Sequence, residues 1–197
     1  SLPSSYSWSC FGMIKLIIAT DTHFGLGYKN TIPWDNKEDL AFFKQMTIGK
    51  DILMGRTTYE GLLRRFKKQY FDVVLPGRKN IVLSTSLYSN LLYNYRLTHY
   101  NRPVIGHYTN VEKIKSTYRK EYNKELFIIG GSKVIENTIH LVDEIYWNQI
   151  KGTYDCDTFL PQNIFDGFEK VSQSESKDKI ITYTHWVRKV NHVSNQP

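Results

Sequence analysis

Apolar residues fall along this chain in short runs, and the spacing within the runs alternates between two kinds. Ile14-Lys15-Leu16-Ile17-Ile18-Ala19 is nearly continuous, as in a strand covered on both faces. Ile52-Leu53-Met54, Lys79-Asn80-Ile81-Val82-Leu83-Ser84 and Leu126-Phe127-Ile128-Ile129 repeat that signature, and Glu144–Ile150 alternates as a half-buried strand does. Between them lie helical patterns. One begins near residue 37, behind Pro33 and an N-capping Asn36. A second follows Gly55-Arg56 with Thr57 or Thr58 as its cap, a third runs from Asn110 to about Tyr122, and a fourth from Lys133 to Ile139. Val104–Tyr108 reads as a short strand, the Tyr-rich stretch 86–103 as irregular, and Phe168–Ser174 with Lys179–Arg188 as a closing antiparallel hairpin. Strands alternating with helices predict an α/β domain whose sheet is mostly parallel and covered on both faces.

The helix after Asn36 carries an unusual residue on its apolar side. At about 100° per residue, Asp39 shares a sector with Leu40, Phe43, Met46 and Thr47, while Glu38, Ala41 and Gln45 point away. A carboxyl aimed into apolar surroundings resists ionisation and can hold or relay a proton near neutral pH. The plainer alternative is that Asp39, in the first turn, complements the helix dipole, and this stretch alone favours it.

Composition narrows the class. With 197 residues, 41% hydrophobic and 14% aromatic, the chain reads as one globular domain over residues 13–190, with tails at 1–12 and 191–197 and Met13 as a candidate start. No apolar run approaches the length of a membrane span, and residues 1–12 lack the features of a secretory signal. Two cysteines, Cys10 and Cys156, make no disulfide framework and fit a reducing, cytoplasmic setting; no His or Cys pair has metal-ligand spacing. The net charge of +7 suits anionic small molecules as well as nucleic acid, and most of it is spread over the surface.

Chemistry concentrates where strands of such a sheet end, since ligands bind at their carboxyl edge. Gly55-Arg56-Thr57-Thr58 combines a glycine, a cation, hydroxyls and helix N-terminal amides, a set that suits phosphate. Leu83-Ser84-Thr85-Ser86 adds hydroxyls, and Gly130-Gly131-Ser132-Lys133 permits close backbone approach at another helix start. Three such ends in one sheet favour a dinucleotide, although no G-x-G-x-x-G fingerprint is present.

These blocks resemble dihydrofolate reductase, in particular the reductase portion of the bifunctional enzymes fused to thymidylate synthase. The resemblance rests on Ile17-Ile18-Ala19, Gly27–Trp34, Asp39–Lys44, Met54–Glu60, Leu75–Asn80 with Leu83-Ser84, Ile128–Ser132 and Tyr154–Thr158, in family order from 13 to about 188. It implies a twisted eight-stranded sheet, mainly parallel with an antiparallel C-terminal edge, and four flanking helices. It also implies NADPH-dependent reduction of 7,8-dihydrofolate, with hydride delivered to C6 and Asp39 supporting protonation at N5. Asn148 matches the residue that hydrogen-bonds this carboxylate. Ile32 matches the tip of a mobile loop over the nicotinamide, with Trp34 at its base. Ile17, Ile18, Leu40, Phe43, Leu62, Leu75 and Ile129 match the substrate pocket, and Arg78 the cation that grips the glutamate carboxylate of folate. Cofactor contacts fall on Ala19, Gly27, Gly55, Arg56, Thr57, Thr58, Leu83, Ser84, Thr85, Gly130, Gly131, Ser132, Lys133 and Val134, with Arg56 and Thr85 beside the adenosine 2′-phosphate and a cis Gly130–Gly131 peptide.

The match reverses the preference for a dipole role at Asp39. It departs from the family pattern twice: Ile135 stands where an aromatic, mostly Tyr, is usual, and Asn148 where Thr is usual. Asn can still donate the hydrogen bond, whereas Ile removes a polar aromatic near the nicotinamide. A riboflavin-pathway reductase of the same fold is not expected to keep both Asp39 and the Leu75–Arg78 clamp. A nucleic-acid module built on Arg64–Lys68 and the Tyr-rich 88–108 stretch is disfavoured. The implied partners are dihydrofolate, antifolates such as methotrexate, and a fused or neighbouring thymidylate synthase; no metal is implied. The basic run at Arg64, Arg65, Lys67 and Lys68 precedes Arg78 and is a candidate for attracting polyglutamylated folate, although packing of a solvated helix extension is the stronger explanation.

Overall fold

A computed structural model describes residues 12–27, 29, 31–84, 104–106, 111–120 and 124–190. Among these residues one eight-stranded sheet dominates, formed by β1 (Met13–Thr20), β3 (Asp51–Gly55), β4 (Lys79–Leu83), β5 (Val104–Gly106), β6 (Glu125–Gly130), β7 (Glu144–Ile150), β9 (Phe168–Glu175) and β10 (Ile181–Arg188). Its order is β5-β4-β3-β6-β1-β7-β10-β9. Pairing is parallel from β5 through β7 and antiparallel where β10 joins β7 and β9. The fold inferred from the sequence is therefore the one present, including the antiparallel C-terminal edge.

Alternation along the central strands assigns the two faces. Ile14, Leu16 and Ile18 of β1 pack with Leu53, Leu126 and Ile128 on one face, under α3 (Val111–Lys120) and α4 (Ser132–Thr138) through Val111, Tyr118, Val134 and Ile135. Ile17, Ile52, Met54 and Phe127 face the other way, under α1 (Lys37–Thr47) and α2 (Arg56–Arg65) through Phe42, Phe43, Met46, Tyr59 and Leu63. None of the helices among the described residues is long and apolar enough to cross a membrane.

Several boundaries differ from the sequence reading. Helix α2 starts at Arg56 with Gly55 as its N-cap, because Gly55 is still extended (φ −80°, ψ 164°) and no threonine side chain caps the helix. The hairpin is Phe168–Glu175 with Ile181–Arg188, and Lys179 turns the chain in a left-handed conformation (φ 61°). A second small sheet, β2 (Gly25–Gly27) against β8 (Thr158–Phe159), was not legible: segments this short, one of them with two glycines, carry no periodicity. The Gly130–Gly131 peptide is cis, and Gly130 has φ 121°, a backbone conformation that glycine tolerates best. The expected cap Asn110, the segment 86–103, Thr85, and the loop residues Tyr28 and Asn30 lie outside the described residues.

Candidate active site

The carboxyl ends of β1, β3, β4 and β6 meet α1, α2 and the chain following β2 around a cleft of about 810 Å³. One lobe is apolar and contains Ile17, Leu40, Phe43, Leu62, Leu75 and Ile129, with Asp39 in its wall. The other is polar and contains Gly55, Arg56, Thr57, Thr58, Ser84, Gly130, Gly131, Ser132 and Lys133. Ala19, Gly27, Ile32, Leu83, Val134 and Asn148 also line it, and Ile18 borders it although its side chain packs into the opposite layer. Leu40 is 40% exposed and Ile32 43%, because their helix and loop faces look into this open space rather than into a closed core.

Asp39 is placed by its helix. Asn36 accepts the Asp39 amide proton at 3.0 Å, fixing the first turn so that the carboxyl points inward, where it is only 7% exposed. In the parallel register Ala19 lies beside Asn148, and the Asn148 side chain donates from Nδ2 to Asp39 Oδ1 at 3.0 Å. Burial pushes the Asp39 pKa up, while this hydrogen bond and the Trp34 indole act against burial without overcoming it. The indole stops short of a hydrogen bond, since Trp34 Nε1, like Asn148 Oδ1, is buried with no partner among the described residues. A buried carboxyl with a raised pKa thus sits in the wall of the apolar lobe, with a buried unpaired donor and a buried unpaired acceptor on the residues around it. Trp34 itself packs behind the wall with Ile150, Ile181 and Tyr154.

The polar lobe has the chemistry of an anion site. The first amides of α2 follow Gly55 without a side-chain cap, and Arg56, Thr57 and Thr58 add a cation and two hydroxyls. A Cβ on Gly131 would stand 3.3 Å from Thr58 Oγ1, so the glycine keeps this wall close to the backbone.

Arg78 does not form part of the cleft wall. Its guanidinium lies about 6.0 Å from the Phe43 ring centroid, at the outer edge of the apolar lobe. Nη1 donates to Thr47 Oγ1 and Nε to the Pro76 carbonyl, both at 3.1 Å, and no carboxylate pairs with it among the described residues. Burial holds its pKa below the usual arginine value. Asn80 builds the turn beneath it: Oδ1 accepts from Leu75 N, and Nδ2 donates to the Leu75 and Arg78 carbonyls, all within 3.0 Å.

The loop over the cleft is anchored by a second buried acid that the sequence reading did not single out. Asp21, 1% exposed, accepts backbone amides from His23 and Gly25 on Oδ1 and from Tyr154 on Oδ2. Burial pushes its pKa up, but these three amides outweigh burial and hold it below the usual carboxylate range. Asp157 ties the next turn through its Oδ2 to Lys29 N at 3.0 Å. The sequence reading also left out Leu26, Thr31, Phe42, Gly61, Phe66 and Thr158 as wall residues, and gave Ile135 only as a departure. The basic run divides: Arg65 lines the cleft, whereas Arg64, Lys67 and Lys68 border a separate groove with Glu60 and Tyr70.

A family model described as Dihydrofolate reductase matches residues 13–191. The chain is 30% identical over 190 residues to Dihydrofolate reductase type 9 of Escherichia coli, covering 93% of this chain and 97% of that protein. It is 29% identical over 183 residues to the Bifunctional dihydrofolate reductase-thymidylate synthase of Paramecium tetraurelia, and spans only 35% of that longer protein. Among solved structures, dihydrofolate reductase from Enterococcus faecalis complexed with NADP(H) and RAB-propyl superimposes with a TM-score of 0.71 at 29% identity, covering 91% of this chain and 98% of that one.

Proposed function

Because this chain belongs to the dihydrofolate reductase family, we propose that it reduces 7,8-dihydrofolate to 5,6,7,8-tetrahydrofolate with NADPH, using Asp39 to support protonation at N5. The observation that carries this reading is the pairing of a buried Asp39, hydrogen-bonded by Asn148, with an adjoining glycine- and hydroxyl-lined anion lobe in one cleft. When bound, NADPH supplies the hydride to C6.

The chain's own residues position and protonate. Asp39 orients the pterin ring by hydrogen bonding, and burial, which raises its pKa, favours the form that carries the proton. Asn148 holds that carboxyl from the strand side. Leu40, Phe43, Leu62, Leu75 and Ile129 enclose the rest of the substrate and exclude water, which strengthens the polar contacts at Asp39. Arg78 takes the glutamate carboxylate by a planar bidentate contact that lysine cannot copy. For polyglutamylated folate, Arg65 is the member of the basic run placed to meet further carboxylates, since it alone of that run lines the cleft.

The polar lobe fits a dinucleotide: amides of α2, the Thr57, Thr58 and Ser84 hydroxyls and Arg56 supply donors for phosphates, and the Gly130–Gly131 wall allows close approach. Ile32 and the loop pinned by Asp21 cover the nicotinamide end. The test follows NADPH absorbance with dihydrofolate, with and without methotrexate. Dihydrofolate-dependent oxidation abolished by methotrexate supports the reading; no oxidation by active-site-titrated, folded protein overturns it.

A further inference from the structure

The segment between α2 and β4 carries a residue, Tyr70, whose hydroxyl interacts with Arg56 of the anion lobe both directly and through Glu60. Arg56 lies in the cleft wall, and its Nε donates to Glu60 Oε1 at 2.8 Å, one helical turn on. The same oxygen accepts from the Tyr70 hydroxyl at 2.9 Å. Tyr70 is itself set by aromatic contacts, edge-on to Tyr59 at 5.9 Å and to Phe71 at 5.1 Å. Tyr59 is fully buried and donates to the Asp72 carbonyl at 2.8 Å, which ties this segment to the helix.

From this chain of contacts we infer that Tyr70 is a positioning residue for Arg56 and thereby sharpens discrimination for a cofactor bearing a 2′-phosphate. The inference rests on the reading that Arg56 meets that phosphate. An arginine–glutamate pair one turn apart on an exposed helix holds its geometry weakly, because both side chains are long and solvated. A hydroxyl delivered from outside the helix fixes the glutamate, and so narrows the range of Arg56 before the phosphate arrives.

The experiment compares parent, Tyr70→Phe and Arg56→Ala with NADPH and with NADH. Phenylalanine keeps the ring contacts and removes only the hydroxyl. Tyr70→Phe should raise KM for NADPH about three- to tenfold while leaving kcat, KM for dihydrofolate and KM for NADH unchanged. An unchanged KM for NADPH overturns the inference, as does an equal loss with both cofactors, which marks a merely structural role. A parent that does not prefer NADPH, or whose preference survives Arg56→Ala, overturns the reading of Arg56 and the inference with it. A preference lost in Arg56→Ala but intact in Tyr70→Phe overturns the inference alone.

Discussion

Asn148 on β7 donates a hydrogen bond to Asp39 on α1 across 109 residues of chain, at 3.0 Å and in a buried setting. The bond favours the charged form of a carboxyl that burial otherwise pushes toward the neutral one. From its side-chain donor, Asn148 is placed both to orient the acid and to oppose the effect of burial on it.

Turnover that needs a proton on the Asp39 side of the cleft falls as pH rises past the raised pKa of that acid. Asn148→Leu removes the bond that opposes burial, so the inflection in kcat/KM against pH should move to higher pH. Asn148→Thr keeps a donor and should stay near the parent. An inflection at the same pH in the leucine variant contradicts this role.

Asn80 makes a prediction about stability. It is 2% exposed, and its three hydrogen bonds to the Leu75–Arg78 turn satisfy both ends of the carboxamide. Asn80→Ala leaves the Leu75 amide and two carbonyls without those partners, at a cost of about 2–4 kcal/mol. Urea denaturation should show that loss, and the surviving folded protein should bind dihydrofolate more weakly, because the turn carries Arg78. Unchanged stability rules out the turn-building role.

Most of the central sheet was legible because its strands are buried on both faces, and continuous apolar runs such as Ile14–Ala19 and Leu126–Ile129 advertise that. Helical periodicity put Asp39 on the apolar side beside Phe43, but by itself favoured a dipole role there; the resemblance alone made it a site candidate. The remaining features lack a periodic signal. Asp21 acts through backbone amides, so its partners at Gly25 and Tyr154 depend on loop packing rather than spacing. Asn80 looks like an ordinary polar residue at the start of a strand until the turn before it folds back. The split of the basic run also depends on helix geometry: adjacent residues Arg64 and Arg65 sit about 100° apart and so face different grooves.

Asp21 makes a prediction about pH. Its carboxylate is held by three backbone amides with a pKa below the ordinary value of 3.8. A group depressed in the folded state lends stability that is complete above its unfolded pKa and is lost as pH falls through its folded pKa. Asp21→Asn replaces one acceptor oxygen with an amide that faces a donor. Its Tm should fall below the parent's at neutral pH, and the gap should narrow once pH drops below the ordinary carboxyl range. A gap that persists unchanged in strong acid contradicts this account.

The most direct test of the whole account is steady-state turnover and NADPH affinity in Asp39→Asn. The amide has the shape of the acid but cannot ionise or hold the proton. Dihydrofolate reduction should fall by about 10²–10⁴-fold while the NADPH Kd stays within about twofold, because the anion lobe lies apart from Asp39. Melting at neutral pH should be no lower than in the parent, since burial disfavours the ionised carboxylate. Near-parent turnover in this variant would contradict the account and leave Asp39 as a residue that only complements the dipole of its helix.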